Sequence, residues 1–231
     1  MSSKTRRQFL SLTAALSASC LLRPFARAQQ AVPSVANAQS PPLSWERDHP
    51  ARVAWSTHLL GKVTSVFPQF EPARDIEEFF PTYSGADDKM RTAMWAELIV
   101  LIAFFESAWE PCARYHESGL GNDTVTHLPV YSEGLLQLSY QDMDVYPNLP
   151  FDWEKDKSLA PTDCTRTILD PLNNISAGVE ILATQIQTYQ KIVLRNHFYW
   201  STLQDPAIGK HSRAERIKMI AARWASTAPS I

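Results

Sequence analysis

Apolar residues recur at helical spacing along several stretches of the chain. From Ala51 to Phe67 they fall at Val53, Ala54, Leu59, Leu60, Val63 and Phe67, a stripe that Pro68 is expected to stop. From Asp87 to about Trp109 the pattern changes: Met94 to Phe105 is apolar on nearly every side, so this helix is expected to run through the centre of the domain. Asp87 and Asp88 suit the positive end of that helix, and Pro111 is expected to force its end. A third helix is predicted from about Pro171 to Leu194 and a fourth from about Ser212 to Ala225. Between the second and third lies a long segment rich in Gly, Pro, Asp and Tyr, where binding residues are expected. Only seven glycines and no sustained two-residue alternation argue against an all-β fold. The expected class is mainly α.

The ends of the chain read differently. Thr5-Arg6-Arg7-Gln8-Phe9-Leu10 precedes a short apolar stretch to Leu22, and Ala26 and Ala28 supply the small side chains of a cleavage site. Residues 1–28 are therefore expected to be a twin-arginine-type signal peptide, too short for a durable span, which implies a periplasmic or secreted mature chain. Residues 29–42 are mostly Ala, Ser, Gln and Pro and read as a flexible linker, so the domain is expected to cover 43–231.

Composition narrows the partners. Of 231 residues, 45% are hydrophobic and 20% charged, with a net charge of -2, enough to build a core but without the basic excess of a nucleic-acid binder or an anionic-membrane binder. Cys112 and Cys164 are the two cysteines of the mature chain. An oxidising compartment allows them one disulfide, and two buried thiols are the alternative. His116 and His127 lack a third ligand at metal-binding spacing, so no metal or cofactor is expected.

Glu106 follows the apolar helix directly. Beside Phe104, Phe105 and Trp109 its carboxyl is expected to lose hydration, and the negative helix end disfavours its ionised form. Such a group suits proton donation to a departing sugar oxygen. Glu97 lies nine residues earlier, about 180° around the helix, and is expected to be a paired group on the opposite face.

Glu106-Ser107, then Gly134-Leu135-Leu136-Gln137, then Asp170-Pro171 with Asn174, Ile175 and Gly178, resemble in order the motifs of the soluble-lytic-transglycosylase and goose-type lysozyme group. The resemblance spans about Asp87 to Leu182. It implies a lysozyme-like fold with a central buried helix and a long irregular segment lining the cleft. It also implies that Glu106 is the single catalytic acid and base, cleaving the bond between N-acetylmuramic acid and N-acetylglucosamine in peptidoglycan strands. The substrate's N-acetyl group and C6 hydroxyl would then complete the reaction, leaving 1,6-anhydro-muramyl ends. Ser107 is implied to orient the acid, and Gln137 and Leu136 to line the cleft, leucine replacing the family's methionine at similar volume.

The chain departs from that pattern in its third motif, where the Ala-Tyr-Asn run is missing; Tyr199 is the expected substitute, with Trp224 read as core. Glu117, Glu133 and Asp142 are candidate second carboxylates for water attack, against the alternative of ordinary loop charges. Tyr131, Tyr140, Tyr146, Trp153, Tyr199 and Trp200 are candidate sugar-stacking rings, Glu133 and Tyr131 joining the expected substrate-binding set. Two alternatives stand beside the transglycosylase: a lysozyme or chitinase-type hydrolase, and a non-catalytic peptidoglycan-binding envelope protein.

Overall fold

The computed structural model describes residues 41–146, 148–204 and 213–227. The signal-peptide expectation and the linker through residue 40 lie outside the described residues. The expected mainly α class holds. Among the described residues the helices are α1 (Ser44–Asp48), α2 (Val53–Phe70), α3 (Ile76–Phe79), α4 (Asp88–Ser107), α5 (Trp153–Asp156), α6 (Pro171–Tyr189) and α7 (Arg213–Ala225). None is long and apolar enough to cross a membrane.

α4 occupies the centre, as its all-round apolar pattern requires: every residue from Ala93 to Ala103 is buried. It packs against α1, α2 and α7, and α2 in turn lies along α6. Phe70 of α2 stacks on Trp95 of α4 with ring centroids 4.6 Å apart. Glu97 sits on the face predicted for it. Its partner is Ser44 at the start of α1, whose backbone N–H donates at 2.9 Å and whose hydroxyl donates to the other oxygen, with Arg47 bonded to that hydroxyl. Burial pushes this carboxyl up to about 8.

Several boundaries shift for local reasons. α2 continues past Pro68 to Phe70, because a proline in the last turn leaves without a donor only a carbonyl at the exposed Thr64 position. α4 ends before Pro111, at Ala108, which takes a left-handed conformation with φ 54°. α6 ends at Tyr189, five residues before the predicted limit, through a left-handed Gln190. α1 escaped notice, being a single turn preceded by prolines. The Pro42 carbonyl accepts a hydrogen bond from the indole of the buried Trp224.

The long central segment contains a two-stranded antiparallel sheet. β1 (Arg114–His116) pairs with β2 (Tyr131–Glu133), Arg114 opposite Glu133 and His116 opposite Tyr131. Strands of three residues are too short to display alternation, which is why the sequence reads as irregular there. Asp123 holds the loop between them, accepting from Val125 N, Thr126 N, Gln141 N and the Ser139 hydroxyl. Cys112 and Cys164 form a disulfide, settling that alternative and tying the start of the segment to its end.

Candidate active site

Glu106 is in the last turn of α4, where the helix leaves the core, and it is 7% exposed. Two consecutive residues beyond Ser107 are left-handed, Ala108 and Trp109 with φ 54° and 63°. Each costs about 1–2 kcal/mol for a residue with a Cβ. The turn they make is held by the Ala108 N–H to Phe104 O bond and by the Trp109 indole, which donates to Val100 O at 2.8 Å. The chain therefore reverses sharply beside the carboxyl, and a hydroxyl from a remote segment meets it. Thr202, fully buried in the short turn Ser201–Leu203, donates to Glu106 Oε1 at 2.6 Å.

The turn Gly134–Leu138 forms the second wall of this neighbourhood. Gly134 adopts φ 79°, and a Cβ there would lie 2.3 Å from Asn174 Nδ2, so only glycine fits. Asn174 is completely buried and serves as a template: its Oδ1 accepts from Leu136 N at 2.8 Å, and its Nδ2 donates to Ile168 O at 2.9 Å and Glu133 O at 3.2 Å. The Leu136 side chain lies on Gly178 of α6, where a Cβ would come within 2.1 Å of Leu136 Cδ1. The glycines and the asparagine of the motifs thus serve one local purpose, seating this turn against α6.

Two adjacent carbonyls of the turn then fix the acid's surroundings. Ser107 Oγ donates to Leu135 O at 2.8 Å, which ties the end of α4 to the turn. The Trp200 indole donates to Leu136 O at 2.9 Å, which ties the Thr202 segment to the same place. Glu106-Ser107, the turn and Trp200–Thr202 come together from three distant parts of the sequence.

Other expected site residues have different positions. Gln137 is buried with φ 52°, and its amide folds back onto Gly134 O and Ala113 O. Leu136 faces Gly178 and the core instead of lining a surface. The Tyr199 hydroxyl donates to Asp142, whose carboxylate also accepts from Ser139 N. Glu133, expected in the substrate-binding set, is a buried ion-pair partner: Arg166 binds both its oxygens, and Arg114 Nε lies 3.4 Å away. Burial pushes its carboxyl up, and the two guanidinium groups oppose that shift. Tyr131 lies half-buried beneath the Arg114 guanidinium, 3.3 Å from its ring centre. Tyr140 and Trp200 are core, leaving Tyr146, Trp153 and Tyr199 as half-buried rings. Glu117 is buried at the end of β1, bonded by the Ser132 hydroxyl. Among the described residues no His, Cys, Asp and Glu cluster could hold a metal ion.

Sequence reasoning missed Thr202. No motif or periodicity marks it; it is a small polar residue between Trp200 and Leu203, and only the folding of that segment over α4 reveals its partner.

The fold has a counterpart among solved structures. It is the fold of Bd0314 DslA from Bdellovibrio. The wild-type form of that protein is similar at 24% identity and a TM-score of 0.61, over 82% of this chain and 97% of DslA. Two further DslA structures, each with one glutamate replaced by glutamine, match at TM-scores of 0.62 and identities of 24% and 23%, over 84% of this chain and 98% of theirs. At that identity the likeness shows a shared fold. No family model matches the chain, and no curated protein does.

Proposed function

We propose that this chain cleaves glycosidic bonds in peptidoglycan strands, with Glu106 giving a proton to the departing sugar oxygen and then taking one from the group that attacks the anomeric carbon. The observation that carries the reading is the convergence on Glu106: a buried carboxyl at a helix end, bonded by Thr202, with Ser107 and the Gly134–Leu138 turn fastened beside it. A buried carboxyl that accepts a hydrogen bond from a hydroxyl is suited to exchanging a proton during turnover. The peptidoglycan substrate, the N-acetyl assistance and the anhydro product come from the motif resemblance. The export leader read in residues 1–28 fits an envelope substrate and a periplasmic or secreted enzyme.

A second reading, hydrolysis by water, is favoured by Glu117. Its carboxyl is buried and bonded by the Ser132 hydroxyl, which is not the setting of a solvated loop charge. The two glutamates replaced in the DslA variants are eleven residues apart, the separation of Glu106 from Glu117 here. Mass spectrometry of digested sacculi separates the two. Anhydro-muropeptides that persist in Glu117→Gln mark the transglycosylase; reducing-end products that vanish in both Glu106→Gln and Glu117→Gln mark the hydrolase. If the wild-type chain binds sacculi and releases neither product, it is a binding protein.

A further inference from the structure

The β1–β2 register sorts the side chains of the hairpin onto two faces. Arg114 lies opposite Glu133 and His116 opposite Tyr131, so these four share one face, while Tyr115 lies opposite Ser132 on the other. Glu117 continues the second face and is bonded there by the Ser132 hydroxyl. Alternation therefore keeps the Glu117 carboxylate on the far side from Arg114. On the first face one carboxylate meets two guanidinium groups. Arg166 is buried, binds both oxygens of Glu133 and has its charge matched there. Arg114 is the surplus cation: its Nε lies 3.4 Å from Glu133 Oε2 without forming a hydrogen bond, and its side chain is 22% exposed. The guanidinium stands over Tyr131 at 3.3 Å from the ring centre, and the His116 ring lies against the same tyrosine with centroids 5.0 Å apart.

Resting on the peptidoglycan reading, we propose that Arg114, seated on Tyr131, binds a carboxylate of the peptide that the glycan strand carries. A guanidinium offers its N–H donors in a planar fork that matches the two oxygens of a carboxylate. Tyr131 and Glu133 restrain that fork from two sides, so little side-chain freedom is left to lose on binding. In an intact strand the lactyl carboxyl of muramic acid is amide-linked to the peptide, and the negative charge of the strand is then the peptide's. The hairpin is also joined to the acid's surroundings. Glu133, the cross-strand partner of Arg114, stands two residues before Leu135, whose carbonyl accepts from Ser107 beside Glu106 at 2.8 Å. A strand held at Glu106 thus has this face of the hairpin as its neighbour, and a peptide branching from the strand meets a cation there.

Calorimetric binding to the full chain carrying Glu106→Gln, chosen so that strands stay intact, tests this with three probes. They are soluble strands bearing peptides, the same strands with every carboxylate converted to its methylamide, and strands stripped of peptide by an amidase. A hydrogen bond between charged partners is worth about tenfold or more in Kd. Peptide-bearing strands are expected to bind about tenfold tighter than either other probe, by a margin that shrinks with added salt. Adding Arg114→Gln should erase the margin and leave affinity for stripped strands unchanged. If Arg114→Gln instead weakens all three probes alike, Arg114 is structural and the proposal is overturned. Equal affinity for peptide-bearing and methylamide strands overturns it without recourse to any Arg114 variant. Stripped strands that bind as tightly as peptide-bearing ones assign the cation to the lactyl carboxylate, and overturn it too. In each of these cases the strand still binds and the peptidoglycan reading stands. If no strand binds, that reading fails and takes the proposal with it.

Discussion

Asn174→Ala should damage the protein far more than the loss of one amide suggests. The side chain is fully buried and makes three hydrogen bonds, to Leu136 N, Ile168 O and Glu133 O. Glu133 O keeps its bond from Leu138 N at 2.8 Å, so the truncation strips the acceptor from Leu136 N–H and the donor from Ile168 O. Each such buried group costs about 1–3 kcal/mol, and the space left by the carboxamide adds about 1 kcal/mol. The expected loss is about 3–7 kcal/mol, read as a shift of the urea midpoint at constant slope by tryptophan fluorescence. Asn174→Asp supplies the control: it keeps the acceptor for Leu136 N but turns a carboxylate towards two carbonyls, and should be no more stable. Because Leu135 and Leu136 carry the anchors for Ser107 and Trp200, either variant should also slow glycan cleavage. An Asn174→Ala protein within about 1 kcal/mol of wild type would refute the template role and the reasoning that joins the motifs.

The remaining predictions concern the buried charges and the disulfide. Glu97, raised to about 8 from 4.5, holds a proton in the folded state that the unfolded chain releases, so stability falls as pH rises between those values, by up to about 1.4 kcal/mol per unit. Glu97→Gln should flatten that slope in unfolding measured from pH 4 to 9, and an unchanged slope would assign it elsewhere. Arg166→Met leaves Glu133 buried with only Arg114 near it, which should cost about 3–5 kcal/mol in urea unfolding; adding Glu133→Gln should recover much of the loss. Joint Cys112→Ser and Cys164→Ser replacement opens a loop closed across a separation of 52 residues, and should lower stability by about 2–4 kcal/mol, seen as a matching fall in wild type on reduction.

Helix-scale features were legible because they are written in long windows. The run from Met94 to Phe105 identified the central helix, and the opposition of Glu97 to Glu106 followed from helix geometry alone. Helix ends were less legible, since Ala108 and Gln190 take left-handed conformations without being glycine, and Pro68 is tolerated in a last turn. The motif residues were legible as a set but not in their tasks. Gln137 and Leu136 looked like cleft residues, and what the sequence did not show is that both are buried in a turn seated on Gly178 and Asn174. Glu133 read as a substrate-binding carboxylate or a loop charge, and nothing local announced Arg166, thirty-three residues later, which the fold brings against it. Thr202 was invisible for the same reason, its significance lying wholly in a contact across 96 residues.

Whether Glu106 transfers the proton that breaks the glycan strand is decided by fragment release from purified sacculi. Purified sacculi are incubated with wild type and with Glu106→Gln, the variant being checked first for an unchanged urea midpoint, and the soluble fragments are quantified by mass spectrometry. Wild type is expected to release muropeptides, and the folded variant, which keeps the shape but cannot exchange the proton, at least about a hundredfold fewer. A folded Glu106→Gln protein that releases them at the wild-type rate would contradict it.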